Sequence, residues 1–149
     1  MAAWQGFYRE ARRFWDVAQA VTAQGYTNQA VSNAIHAVIA ANDALCLFLI
    51  SERARGQSHP EVGRLLTRAC KGTKWEEEGA RRTRQLADIL QAKAASQYEG
   101  KPMSAETAQR VLSQAERFIA WVREVLPPAD LAGSDPSGPG ETPGDGTAP

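Results

Sequence analysis

From Trp4 onward apolar residues recur at steps of three and four. Trp4, Phe7, Tyr8, Ala11, Phe14, Trp15, Ala18 and Val21 fall on one stripe, with Arg9, Glu10, Arg12, Arg13 and Asp16 opposite. That period is helical. Gly25 supplies a C-terminal stop, and Thr27 or Asn28 is placed to cap a second helix. The segment from Thr27 to Arg53 differs in kind. Ala30, Val31, Ala34, Ile35, Ala37, Val38, Ile39, Ala41, Ala44 and the run Leu45 to Ile50 leave little of it suited to water. A helix apolar around most of its circumference must be covered on several sides, in the middle of a bundle or also at a subunit interface.

Gly56, Gln57 and Ser58 break the pattern, and Ser58 with Glu61 three positions on reads as a capping box. Val62, Leu65, Leu66 and Ala69 predict a short helix ending near Gly72. A fourth helix is expected from Trp75 to Tyr98, with Trp75, Leu86, Ile89, Leu90 and Ala94 facing inward, stopped by Gly100 and Pro102. Ser104 caps a fifth, whose stripe is Ala108, Val111, Leu112, Ala115, Phe118, Ile119, Val122 and Leu126; Pro127 and Pro128 close it. No segment alternates long enough for a strand. The expected fold is all-α, an antiparallel up-and-down bundle of four long helices plus one short helix.

Composition changes this picture at one end. The 149-residue chain carries 17 basic and 17 acidic side chains, but Pro127 to Pro149 holds Asp130, Asp135, Glu141 and Asp145 with no Lys or Arg. Six of the eight prolines and five of the twelve glycines lie there too, so residues 127–149 read as a disordered acidic Pro/Gly-rich tail behind a net-basic bundle of residues 1–126. Cys46 and Cys70 do not make a disulfide framework and lack zinc-site spacing. Met1 to Tyr8 has neither the basic start nor the apolar core of a secretory signal. Ala34 to Ile50 is about long enough to span a bilayer, but His36, Asn42 and Asp43 interrupt it, which favours a core or interface helix. The expectation is a cytoplasmic protein with no membrane partner.

Gly-rich phosphate loops, zinc-protease motifs, nucleophile elbows and calcium loops are missing from the sequence, and His36 and His59 are its only histidines. No metal or cofactor is expected. Three groups of residues could carry chemistry. Asn33, His36, Asn42 and Asp43 are polar positions on the apolar second helix, and His36 and Asp43 lie two turns apart on one face. They form either a structural hydrogen-bond network or a polar ligand cleft, and Asp43 needs a partner or water. Arg53 and His59 are six apart across a loop; Arg neutralises a phosphate while His moves protons, as metal-independent RNA cleavage requires. The same His59 could instead be a solvated helix-start residue. Finally, residues 53–93 hold ten Lys or Arg against five acids, either a phosphate-attracting patch or a solvated helix face. The acidic tail could fold over that patch as an internal competitor.

Gly25-Tyr26-Thr27-Asn28-Gln29-Ala30, with Ala34-Ile35-His36-Ala37 after it, resembles the second-helix signature of HEPN domains. So does Leu90 to Glu99, with Lys93 a few residues before Tyr98, followed by Ser104-Ala105-Glu106 and Ala115-Glu116-Arg117-Phe118-Ile119. The resemblance spans about residues 4 to 126 and is to the small stand-alone prokaryotic members. It implies a helical bundle, usually a homodimer, often partnered with a minimal nucleotidyltransferase as a toxin–antitoxin pair, or binding nucleotides. Many members cleave RNA with an Arg and a His a few residues apart near the start of the last long helix. Here that place reads Lys93 to Glu99 without a His, so Lys93 and Tyr98 are expected to bind phosphate rather than catalyse. The expectation is therefore a nucleotide- or RNA-binding bundle. The alternatives are a metal-independent endoribonuclease using Arg53 and His59, or a dimerisation module without ligand.

Overall fold

The computed structural model describes residues 2–55, 59–98 and 100–128, the side chains of 59, 97 and 98 excepted. Five helices occur in order: α1 (Ala3–Thr22), α2 (Thr27–Ile50), α3 (His59–Cys70), α4 (Glu76–Tyr98) and α5 (Ala105–Val125). Among the described residues there is no strand. The proposed Ser58 cap and the tail from 129 onward lie outside the described residues.

Helix α1 ends in a Schellman arrangement. Gly25 takes φ +81°, its amide donates to the Thr22 carbonyl at 2.9 Å, and the Tyr26 amide donates to Val21 at 3.2 Å. Thr27 and Asn28, expected to cap α2, do something else. The Thr27 hydroxyl donates to the Met103 carbonyl at 2.9 Å. Asn28 donates to the Lys101 carbonyl at 2.9 Å and accepts from the Met103 amide at 2.6 Å. Their side chains thus tie the start of α2 to the loop before α5, which sets those two helices parallel at matching ends.

Helix α2 is the axis of the bundle and packs against all four others. It is long and apolar enough to cross a bilayer, and here that surface is taken up by its neighbours. The small side chains of Ala30, Ala34, Ala37, Ala41 and Ala44 are buried on several sides and permit that close approach. The cover thins toward the end, where Phe48 is 38% exposed and meets Trp4 edge-on at 5.5 Å. The helix stops at Ile50, three residues short of the expected Arg53. Ser51 adopts a left-handed conformation (φ 60°) and its amide closes on Leu47 at 3.0 Å. Arg53 is consequently outside the helix and can turn back toward it.

Two facing surfaces also differ from expectation. Ala94 is exposed while Ser96 is buried, because the inward face of α4 runs through Leu86, Ile89 and Lys93, and Ala94 stands about 100° from it. Trp75 lies just before α4 rather than within it. On α5 the expected stripe is buried throughout, with Trp121 added to it. Ser104 caps that helix as expected, its hydroxyl oxygen accepting from the Thr107 amide at 3.1 Å.

Candidate nucleic-acid interface

The α1–α2 pair creates a repeated motif. Phe7 and Phe14 are seven residues apart on α1; Asp43 and His36 are seven apart on α2, which runs the opposite way. At one level the Arg53 guanidinium lies 4.7 Å from the centre of the Phe7 ring and Arg53 Nη1 is 3.8 Å from Asp43 Oδ2. Two turns away, about 10 Å, the His36 ring lies 5.3 Å from Phe14 at 30°. Burial, and then the nearby positive charge of Lys93, hold His36 below its usual pKa. His36, within the field of Lys93, and Asp43, paired with Arg53, are thus two separate positions on one α2 seam.

Asp43 is the partnered carboxylate that its position demanded. Burial pushes its pKa up to about 6, opposed by Arg53 and by the Ala54 backbone amide. Its Oδ1, and both polar atoms of the fully buried Asn42, have no hydrogen-bond partner among the described residues. Asn33 donates to the Gln29 carbonyl of its own helix at 2.9 Å, so it is not part of a network with His36 and Asp43. His59 begins α3. Its side chain and that of Tyr98 lie outside the described residues, and so does any meeting of Arg53 with His59 or of Lys93 with Tyr98.

Arg53 also belongs to a larger feature. The chain just after α2, the outer face of α3 and the middle of α4 enclose an open groove of about 1060 Å³. Its walls carry Arg53, Arg55, Arg64, Arg68 and Lys71 against Glu52 and Glu61, with Thr67, Thr83 and Ala87 between them. Arg68 is held by Glu52 at 2.8 Å. Arg55, Arg64 and Lys71 make no ion pair among the described residues, which leaves three cations open to a ligand. Other cations of the basic run are deployed differently: Arg81 and Arg82 pair with Glu78 on their own helix, and Lys74 lies over the Trp75 ring.

The basic run was visible in the sequence, but not which half of it converges. A signal existed: Arg64 and Arg68 are four apart on one face of α3, and Lys71 follows three residues on, just past its end. Phe7 and Phe14, whose spacing suggested only a core role, support a cation and an imidazole. Among the described residues no group of His, Cys, Asp and Glu is arranged to hold a metal ion. Cys46 and Cys70 are free and buried, and burial raises both thiols well above neutrality.

Four helices packed around an apolar fifth, with a cationic groove beside the shortest of them, make an all-helical bundle with an open basic face. The family model described as the HEPN domain matches residues 4–125, and the chain belongs to that family. No curated protein sequence matches it.

Proposed function

We propose that this HEPN bundle binds single-stranded RNA by its phosphate backbone, as a homodimer and beside a nucleotidyltransferase-type partner of the kind the family implies. The observation that supports RNA binding is the groove in which Arg55, Arg64 and Lys71, with no ion pair among the described residues, stand beside Arg53 and Arg68. A row of cations along an open channel suits a ligand with repeated negative charge. A strand repeats its charge along its length, so it suits several separate cations better than a single free nucleotide does.

The test is fluorescence anisotropy on a short unstructured RNA, at several salt concentrations, with the full chain and with Arg55→Gln/Arg64→Gln/Lys71→Gln. The triple variant should bind about 10- to 100-fold more weakly at low salt, and its salt slope should flatten by about 2, since each single-strand phosphate contact contributes roughly 0.7. Equal affinity and slope would remove the groove from consideration.

A second reading uses the same groove for cleavage, because Arg53 lines it and α3 begins at His59. RNA incubated with the protein and a chelator should stay intact. Cleavage that disappears in both Arg53→Ala and His59→Ala would install the nuclease reading in place of simple binding.

A further inference from the structure

We infer that the groove is also the docking surface for the chain's own acidic tail, residues 129–149. As a competitor for RNA this tail rests on the proposed RNA binding; as a docking event it stands on charge and reach alone.

The charges are complementary. The tail holds Asp130, Asp135, Glu141 and Asp145, spaced four to six residues apart, and no Lys, Arg or His. The groove offers five cations against two carboxylates, three of those cations without an ion pair among the described residues. On the α4 side, by contrast, Glu78 neutralises Arg81 and Arg82 locally.

The tail also begins close by. Arg82 lies 5.8 Å from the centre of the Trp121 ring, and Thr83, the next residue on α4, is part of the groove wall. Leu126 comes five residues after Trp121, about 7.5 Å along the helix. Lys71, which also lines the groove, belongs to the turn that leads into α4. Twenty-one residues can extend to about 70 Å, longer than a helix of more than forty residues. Tethering makes the encounter intramolecular, so weak individual attractions act at an effective concentration on the order of millimolar. RNA carries one charge per nucleotide and displaces such a tail readily; the tail excludes ligands of lower charge density. This is a selectivity device as well as a brake.

The experiment compares the full chain with Asp130→Asn/Asp135→Asn/Glu141→Gln/Asp145→Asn, which keeps length and leaves the bundle untouched. Amide resonances of Arg55, Arg64, Lys71 and Thr83 should differ between the two proteins at about 0.02 M salt and coincide at about 0.5 M, where screening is complete within a few ångströms. Coincident groove resonances at low salt overturn the docking. Differences that grow with protein concentration assign the contact to a second copy's tail and overturn the intramolecular proposal. In the RNA arm the neutral-tail protein should bind roughly three- to ten-fold tighter at low salt. Equal RNA affinity overturns the competitor role. Absence of RNA binding by both proteins defeats the RNA reading instead, while the resonances still decide the docking.

Discussion

Asp43 sits at a costly position for a carboxylate, on the central helix with its side chain 9% exposed. Its pKa of about 6 is raised from 3.8, so the folded protein holds a proton that the unfolded chain releases. Asp43 therefore favours the folded state more as pH falls from about 6 toward 4, and works against it above about 6, by on the order of 3 kcal/mol. His36 runs the other way, since its depressed pKa makes acidification unfavourable to the fold. Arg53 is half exposed, so removing its partner does not strand a buried charge. Asp43→Asn should accordingly raise the melting temperature at pH 7.5, and by only about half as much at pH 5, where the folded carboxyl is already protonated but the unfolded one is not. Melting curves at the two pH values check this, and destabilisation at pH 7.5 would show that the Arg53 pair outweighs the burial cost. That Asp43 needed a partner was legible from its apolar neighbours in sequence. That the partner is Arg53 was not, because it depends on where α2 stops.

At the scale of elements, α3 and α4 approach closely at Gly79. A Cβ built on Gly79 would come within 2.6 Å of Cys70 Sγ and 2.8 Å of its Cβ. Cys70 is buried, and neither its side chain nor the backbone can move far without parting the two helices. Gly79→Ala should cost about 1–3 kcal/mol in denaturant unfolding, against the helix-propensity gain of roughly 1 kcal/mol that an open position would show. A stabilised variant would mean that the helices yield more easily than their packing suggests. Since α3 and α4 form two walls of the groove, the same variant should also weaken RNA binding. Helix number, order and most inward faces were legible from the three-and-four spacing. Ala94 was not, since the polar residues beside it mislead: Ser96 is buried and Lys93 half-buried, while the apolar Ala94 faces solvent. The side-chain ties of Thr27 and Asn28 were hidden because their partners are backbone groups 73 and more residues away.

For the molecule as a whole, the proposed homodimer is a claim about an assembly. Sedimentation of the full chain at micromolar concentration should give twice the 16.2 kDa chain mass, and a monomer there would discard it. Such a dimer would carry two grooves, making RNA affinity depend on strand length more steeply than one groove allows. What the sequence alone determined is what repeats locally: five helices, the apolar axis of α2, the Ser104 cap and the opposed charges of bundle and tail. Each comes from residues within a few turns of one another, or from simple composition. Tertiary structure alone decided that Arg53 leaves α2 to meet Asp43 and Phe7, that the charge of Lys93 bears on His36, and that five of ten cations share one groove. Those meetings depend on where helices end and how they cross, quantities set by packing across the whole chain rather than by any stretch of it.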